Sequence, residues 1–260
     1  MKVGLIGTGA IGTYLLQSLN EEKRIPGMMI TAVHSRDFSK TKQIAAHYEA
    51  TAYETLEELL DADVDVVVEA ATLEVATRIA PKVLRAKKHL VIGSIGSVAD
   101  GKFYSSLETL AKRQNVHFYL PSGAIGGLDT IRAARASDTL SSVRITTRKP
   151  PSALPGGVTE ETILFEGTAR DAIERFPKNM NVAITLSLAG LGPNETEVRV
   201  IADPRVTKNT HTIEASGTFG NMTFIVENEP LPSNPKTSAL AAYSLLATLQ
   251  SMMSSVIIGS

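Results

Sequence analysis

The sequence predicts an α/β fold: a doubly wound parallel sheet, a second domain of mixed α+β structure, and a C-terminal helix that returns to the first domain. Three observations support this prediction. Short apolar strands alternate with amphipathic helices as far as Leu120, which is typical of a parallel sheet covered on both faces. Beyond Pro121, strand-like segments and helices follow in a less regular order. A long apolar helical stretch then runs from Ser238 to Ile258.

The elements of the first half follow the alternation closely. The predicted strands are Lys2 to Ile6, Met29 to His34, Val64 to Glu69, His89 to Ile92 and Val116 to Leu120. The predicted helices between them are Ala10 to Leu19, Ser39 to Tyr48, Leu73 to Lys87 and Lys102 to Asn115. Since each helix is a crossover between neighbouring strands, the sheet is expected to be parallel.

The second half mixes strands with helices. Its predicted strands are Val143 to Lys149, Thr162 to Phe165, Glu197 to Ala202, Thr212 to Ser216 and Met222 to Glu227. Its predicted helices are Thr168 to Phe176 and Val182 to Ala189, and a proline-rich turn occupies 149–155. We expect an open sheet, antiparallel or mixed, and a terminal helix capped by Asn234-Pro235 that packs on the first domain or on a partner subunit. The predicted domains are 1–121, 122–236 and 237–260.

The first predicted strand runs directly into the turn Gly7-x-Gly9-x-x-Gly12. In this pattern the first glycine permits a sharp turn, the second lets the backbone approach a pyrophosphate, and the third lets the next helix pack on the strand. Ala10 and Ile11 would open that helix, whose free N–H groups and dipole favour an anion. The motif predicts a Rossmann dinucleotide-binding domain. A glycine-rich turn with no ligand is the alternative.

The strand that ends at Glu69 fits the centre of such a sheet. Its residues are apolar, and the small Ala70 and Ala71 follow it, as expected where the carboxyl end of a central strand faces a bound nucleotide. Glu69 would otherwise be only a polar residue at a strand end.

Composition indicates an enzyme with a small-molecule substrate. The chain has 260 residues, 43% of them hydrophobic, and a net charge of -1, so it can form a substantial core and has no basic patch for nucleic acid. It has no cysteine, which excludes thiolate metal sites and disulfides, and we expect no metal. The N-terminal segment enters a strand at once and no apolar run could span a bilayer. We therefore expect a cytoplasmic protein with no signal peptide and no membrane partner.

The end of the second predicted strand should decide between NAD and NADP. An acidic residue there accepts the ribose hydroxyls of NAD, whereas a small polar or basic residue admits the extra phosphate of NADP. The chain has Ser35 and Arg36 at this point, and Asp37 comes one or two residues late. Ser35 can bind a phosphate, and Arg36 can pair with it or stack on adenine. We expect NADP to be used well and NAD also to be accepted, unless Arg36 and Asp37 form only a solvated turn.

Four segments of the second half share their order and spacing with a known family. They are PSGAIGGLD at 121–129, FPKNMNVA at 176–183, ADP at 202–204 followed by NTHTI at 209–213, and NPKTS at 234–238. Together they resemble the L-aspartate dehydrogenase family along essentially the whole chain. The first of them is far more specific than the glycine fingerprint.

The resemblance implies an NAD(P)-dependent oxidation of L-aspartate to iminoaspartate. This product hydrolyses to oxaloacetate and ammonia or is passed to quinolinate synthesis, a step of NAD biosynthesis. The resemblance also implies that Ala124 and Asn181 contact the nicotinamide cofactor and that His211 is catalytic.

Several polar groups could hold a dicarboxylate substrate. Ser122, Gly123 and Gly126 precede a helix expected at Leu128, and their backbone N–H groups could bind an anion, although an ordinary domain-crossing loop would also fit. The further candidates for binding the substrate are Lys149, Asn209, Lys236 and Thr237. The lysines could equally be surface charges, and Thr237 is expected at the N-terminus of the last helix.

His211 is the histidine best placed for acid–base chemistry. Oxidising an amine needs a base, and an imidazole titrates near neutrality. His211 stands among threonine and asparagine at the start of a strand. The remaining histidines lie at the cofactor turn, on a polar helix face or at the far edge of the sheet: His34, His47, His89 and His117. Taken alone, however, a strand histidine is more often structural than catalytic.

Two other interpretations stay open. A homoserine dehydrogenase or a dihydrodipicolinate reductase would have a similar nucleotide domain, although the latter usually has a paired His-His segment that this chain lacks. A nucleotide-sensing module without chemistry would keep the glycine turn, but the intact segment from Asn209 to His211 argues against it. We expect a homodimer, because the second sheet has a face that no neighbouring element covers.

Overall fold

The chain forms two compact units. The structure, a computed structural model, describes residues 1–150, 159–176 and 180–258, without the side chain of Lys236. The first unit is Met1–Pro121 with Ala242–Ser255, and the second is Ser122–Ala241 with the residues from Val256 onward. Most of the predicted proline-rich turn at 149–155 lies outside the described residues.

The first unit contains a parallel sheet. Its strands are β1 (Lys2–Ile6), β2 (Met29–His34), β3 (Thr51–Tyr53), β4 (Val66–Glu69), β5 (His89–Ile92) and β6 (Phe118–Tyr119). Their order is β3-β2-β1-β4-β5-β6, and every pair is parallel. From β1 the chain adds β2 and β3 on one side of the sheet and then β4, β5 and β6 on the other side. The switch point therefore lies between β1 and β4, and sheets of this kind bind their ligands at such a point. The predicted doubly wound fold is confirmed.

Helices connect these strands. They are α1 (Ala10–Leu16), α2 (Phe38–His47), α3 (Leu56–Asp61), α4 (Leu73–Arg85) and α5 (Gly101–Gln114). A π-helical turn, Gln17–Glu21, extends α1, and a 3₁₀ turn, Ile95–Val98, precedes α5. Strand β3 and helix α3 were not predicted, although Thr55 and Glu58 form a reciprocal capping box at the start of α3.

The second unit contains a mixed sheet. Its strands are β7 (Leu140–Lys149), β8 (Thr162–Thr168), β9 (Thr196–Ala202), β10 (Asn209–Gly217) and β11 (Gly220–Asn228), in the order β11-β10-β7-β9-β8. The β7–β9 pair is parallel and the other pairs are antiparallel, so the predicted mixed sheet is confirmed. One face packs against α6 (Leu128–Ala136), α7 (Ala169–Arg175) and α8 (Asn181–Ala189), and Ile145, Ile213 and Leu186 are buried between them.

The end of the chain departs from the prediction. Residues Asn234–Ser238 form β13, which pairs with β12 (Pro230–Leu231), so Asn234-Pro235 is not the predicted helix cap. The last helix, α9, is Ala239–Met253 and stops short of Ile258. As predicted, it returns to the first unit, where Leu245 and Leu249 join the core beside Leu5. None of the described helices is long and apolar enough to cross a membrane.

Candidate active site

The glycine turn after β1 has the geometry that a pyrophosphate needs. Gly7 has φ +105°, and a Cβ there would lie 2.5 Å from the carbonyl oxygen of Ala70. At Gly12 a Cβ would lie 2.0 Å from the carbonyl oxygen of Gly7, so only glycine lets α1 approach so closely. Gly9 precedes α1 without any side-chain cap, and a Cβ there would meet no described atom within 4 Å. The helix N-terminus, opened by Ala10 and Ile11, is therefore accessible to an anion.

This turn lines a cavity of about 850 Å³ in the first unit. The cavity lies at the carboxyl ends of β1, β2 and β4, where Gly7, Ser35 and Ala70 contribute to its wall. The cationic residues of its wall are Arg36, Lys40, Arg78 and Lys82, and the acidic ones are Asp37 and Glu57. A cavity of this size with a glycine turn and several cations suits a dinucleotide.

The two acids of the cavity are already engaged in structural contacts. The Asp37 carboxylate caps α2 by accepting the N–H of Lys40 at 3.0 Å. Glu57 forms an ion pair with Lys82, with 2.7 Å between Oε1 and Nζ. Asp37 Oδ1 is therefore engaged at the start of α2, although Asp37 also lines the cavity.

A chain of three hydroxyls fixes Ser35 at the end of β2. Thr41 Oγ1 donates to the carbonyl oxygen of Asp37 at 2.7 Å, so it accepts from Ser35 Oγ, 2.6 Å away. Ser35 Oγ then accepts from Thr8 Oγ1 at 3.1 Å. Because the proton of Ser35 points into the protein, its remaining lone pair suits a ribose hydroxyl better than a phosphate.

His211 lies in β10 of the second unit and is 8% exposed. Its ring projects from the same face of the sheet as Thr147, its cross-strand partner in β7, and Nδ1 is 2.9 Å from Thr147 Oγ1. Ile213 and Ala215 continue this face into the apolar core. The histidine therefore stands where the core face of the sheet becomes polar.

Burial, together with the charge of nearby Lys149, lowers the pKa of His211 to about 4. Burial also lowers the pKa of Lys149, which ends β7 on the same face as Thr147. At neutral pH the imidazole is uncharged and has a lone pair available. An anionic ligand beside Lys149 would raise the pKa of His211, because it would offset the positive charge.

Other predicted residues lie in the same unit. Asn209 opens β10, and its Oδ1 is buried with no hydrogen-bond partner among the described residues. Ala124 is buried, and its carbonyl oxygen accepts from Asn228 Nδ2 at 3.1 Å. Asn181 opens α8 and is exposed at that point.

The loop ahead of α6 is irregular, as predicted. Ser122 begins the second unit, Gly123 has φ +65°, and Gly127 caps α6 with φ +76°. Gly126 has open space where a Cβ would lie. A Cβ at Gly127 would lie 2.4 Å from the ring of Phe224 on β11, so the loop packs directly on the sheet.

Two further predicted substrate residues, Thr237 and Lys236, lie near the end of the second unit. Thr237 lies in β13, not at a helix N-terminus, and its Oγ1 accepts from Asn234 Nδ2 at 3.0 Å. The side chain of Lys236 lies outside the described residues.

Comparisons with known proteins place this arrangement in a family. A model of the homoserine dehydrogenase NAD-binding domain matches residues 7–121, and a model of the C-terminal domain of aspartate dehydrogenase matches 129–252. The L-aspartate dehydrogenase of Methanosarcina barkeri is 40% identical and aligns over 100% of this chain and 99% of its own. The chain belongs to the L-aspartate dehydrogenase family. The predicted family, and with it the predicted dehydrogenase activity on a nicotinamide cofactor, is confirmed.

Solved structures agree with this family. The aspartate dehydrogenase of Thermotoga maritima is 30% identical with a TM-score of 0.82, covering 100% of this chain and 99% of that one. GenD2 of gentamicin A biosynthesis, solved with NAD, is 18% identical with a TM-score of 0.55 over 86% of this chain and 72% of its own. At that identity it shows a shared fold alone.

Sequence reasoning missed two polar groups of this L-aspartate dehydrogenase family member. Thr147 was only one residue of a predicted strand, and its contact with His211 depends on the register between β7 and β10. Asp203, in the ADP segment, is 3% exposed at its side chain and accepts from Arg148 and Arg205, and these contacts lower its pKa to about 2. Its N–H donates to the carbonyl oxygen of Lys149 at 3.0 Å, which ties together the ends of β7 and β9.

Proposed function

We propose that this chain oxidises L-aspartate to iminoaspartate with NADP or NAD, and that His211 is the acid–base residue. In this reaction a hydride leaves the α-carbon, the amine loses a proton, and a C=N bond forms. Water then adds to the imine and ammonia leaves, giving oxaloacetate. The bound oxidised nicotinamide supplies the hydride acceptor. The buried, uncharged imidazole of His211 is the observation that carries this proposal.

We assign the reactive nitrogen of His211 to Nε2. Nδ1 is held by the Thr147 hydroxyl at 2.9 Å. If Nδ1–H donates to Thr147 Oγ1, Nε2 carries the lone pair and can accept a proton from the substrate amine or from the attacking water. The same nitrogen returns the proton in the reverse direction. The low pKa of His211 in the free protein rises when a carboxylate of the substrate binds beside Lys149, which brings the base closer to the operating pH.

The carboxylates of the substrate need donors and a positive charge. The charge of Lys149 acts on the imidazole of His211 and lowers its pKa, so we assign Lys149 to one carboxylate. The unpartnered Oδ1 of Asn209 is an acceptor that suits the substrate ammonium. The backbone N–H groups of Ser122, Gly123 and Gly126 remain candidates for the other carboxylate. Lys236 and Thr237 remain predictions from the sequence.

The cofactor site is assigned to the first unit. Gly7, Gly9 and Gly12 would hold the pyrophosphate at the start of α1. Ser35 would accept a hydrogen bond from the adenosine ribose, and Arg36 would pair with a 2′-phosphate or stack on adenine. This division of roles supports the use of both cofactors. The roles of Ala124 and Asn181 near the nicotinamide rest on the resemblance to the family.

The deciding experiment follows the absorbance of reduced nicotinamide. Purified protein is mixed with NADP or NAD and with L-aspartate, L-glutamate or L-homoserine in turn. We expect reduction with L-aspartate alone, with NADP giving a kcat/KM at least equal to that of NAD. Reduction with L-homoserine instead would support the related dehydrogenase. Cofactor binding without turnover on any amino acid would contradict the proposed activity.

A further inference from the structure

Glu69 is the buried carboxylate of the first unit that the proposed chemistry does not use. It ends β4, pairs in register with Ile6 of β1 and Ile92 of β5, and is 0% exposed. A fully buried acid in the middle of a parallel sheet costs stability unless donors surround it. Glu69 therefore calls for a structural or functional reason beyond its position at a strand end.

The carboxylate is surrounded by donors. Its Oε1 accepts from the N–H of Ala71 at 2.8 Å and from Ser94 Oγ at 2.9 Å, and its Oε2 accepts from the N–H of Ser94 at 2.8 Å. Burial raises the pKa of Glu69, and these hydrogen bonds oppose that shift. One side chain thus joins the turn after β4 to the turn after β5.

The turn after β4 touches the glycine turn directly. A Cβ at Gly7 would lie 2.5 Å from the carbonyl oxygen of Ala70 and 3.0 Å from the nitrogen of Ala71, so these two turns pack backbone against backbone. Ala70 and Ala71 also line the dinucleotide cavity beside Gly7 and Gly9. Any displacement of Ala71 therefore also displaces the backbone of the glycine turn.

We propose that Glu69 is a positioning residue for the cofactor, holding the Ala70–Ala71 turn in the place that shapes the wall of the dinucleotide cavity. It acts through Ala71 and Ser94 and touches neither substrate nor reacting atoms. This role rests on the proposed cofactor site. It differs from general structural support because it predicts a specific loss of cofactor affinity in protein that is still folded.

The variant Glu69→Gln tests the role with almost no change in volume. An amide has one acceptor oxygen, so its NH₂ must face either the N–H of Ala71 or the N–H of Ser94, and one of these donors loses its partner. The turn at Ala71 then shifts, or the backbone at Ser94 is no longer held by the side chain at position 69. Since cofactor binding then has to restore the shape of the turn, a cost equal to about one such hydrogen bond raises the cofactor Kd roughly tenfold.

The measurement is the Kd of NADPH, followed by its fluorescence, with kcat and both KM values. For Glu69→Gln we expect a Kd and a cofactor KM raised about tenfold or more, while kcat at saturation and the KM of L-aspartate stay within about threefold. Circular dichroism at the assay temperature confirms that the variant is folded. Ser94→Ala removes one donor and leaves both backbone donors, so its Kd should rise about threefold.

Asp100→Ala is the matched control. The Asp100 carboxylate also accepts a backbone N–H, that of Phe103 at 2.7 Å, but it caps α5 and does not line the cavity. This variant should lose stability and keep the wild-type Kd. An unchanged Kd in folded Glu69→Gln would overturn the inference. If that variant does not fold, an unchanged Kd in Ser94→Ala overturns it. If wild-type protein binds neither NADPH nor NADH, the proposed cofactor site fails instead.

Discussion

At the scale of single residues, His211 combines two properties that usually exclude each other. It is almost fully buried, with Nδ1 held by Thr147, and in the proposed mechanism its second ring nitrogen is available to the substrate. Burial and the charge of Lys149 keep the ring neutral. A neutral imidazole accepts a proton, whereas an imidazolium could only donate one.

Replacing His211 with glutamine should abolish most turnover. The change keeps a polar side chain but removes the titrating nitrogen, so we expect kcat to fall by about 10²-fold or more. The Kd of NADPH should stay within about twofold, because the glycine turn lies in the other unit. Steady-state kinetics and fluorescence titration measure the two quantities. His47→Gln, an exposed histidine on α2, is the control and should keep wild-type turnover. Wild-type turnover in His211→Gln would rule out the assignment.

The same histidine should make stability depend on pH. Its pKa is about 4 in the folded protein against an ordinary value of 6.5. Between these two pH values the unfolded chain therefore binds a proton that the folded chain does not bind. The contribution of the neutral imidazole to the free energy of unfolding is therefore fully present above pH 6.5 and is lost as the pH falls towards 4. Between pH 7 and pH 4.5, the free energy of unfolding should fall about 2 kcal/mol more in wild type than in His211→Gln.

Urea denaturation at the two pH values measures this difference. The carboxylate of Asp203, with a pKa of about 2 against an ordinary 3.8, loses its contribution only at lower pH and does not interfere. Equal losses in wild type and variant would show that His211 titrates normally in the folded protein.

Residue identity could be predicted from the sequence, but residue environment could not. The NTHTI segment indicates His211 as a candidate, since that short pattern is local. Its low pKa depends on burial by the sheet and on Lys149, which is sixty-two positions away in sequence. The hydrogen bond from the N–H of Ser94 to Glu69 depends likewise on the pairing of β4 with β5. Contacts made through strand register leave no signal in a single sequence.

At the scale of elements, two glycines of the glycine turn are needed for different reasons, Gly12 for folding and Gly9 for binding. Gly12 must be glycine for α1 to pack, because a Cβ would lie 2.0 Å from the carbonyl oxygen of Gly7. Gly9 has φ -75°, which any residue adopts, and a Cβ there would meet no described atom within 4 Å. The fold therefore does not explain a glycine at position 9, but close approach of a pyrophosphate does.

Alanine at these two positions should consequently give opposite results. Gly9→Ala should fold with a Tm within about 2 °C of wild type, yet bind NADPH about tenfold or more weakly, because the methyl group occupies phosphate space. Gly12→Ala should lose several degrees of Tm, because α1 must move away from β1. Thermal denaturation and NADPH titration distinguish the two. Wild-type affinity in Gly9→Ala would place the pyrophosphate elsewhere.

Element prediction succeeded where the pattern was long and failed where it was short. Strands β1, β2 and β5 have the predicted bounds, because apolar runs between helices are unambiguous in a parallel sheet. The three-residue β3 is too short to show a period. Asn234-Pro235 has the composition of a helix cap, but its pairing with β12 makes it a strand. Tertiary pairing overrides local preference there.

At the scale of the whole molecule, the sheet of the second unit has an outer face, opposite the face on which α6, α7 and α8 pack. Thr146, Thr212 and Ile225 lie side by side on this face, opposite the face that carries Ile145 and Ile213. Ile225 is 65% exposed. A row of small polar groups that ends in an exposed isoleucine suits contact with the same row of a second copy, since an isologous interface pairs a surface with itself.

We therefore predict a homodimer that uses this face. Light scattering after size exclusion should give about 56 kDa, twice the 27.8 kDa of the chain. Ile225→Asp should shift the protein to the monomer mass, since a charge buried at an interface without a partner is costly. Phe219→Asp changes another exposed apolar residue, in the turn before β11 and off the sheet face, and should leave the dimer intact. A monomeric wild type would contradict the dimer, whereas a dimeric Ile225→Asp would contradict only this choice of face.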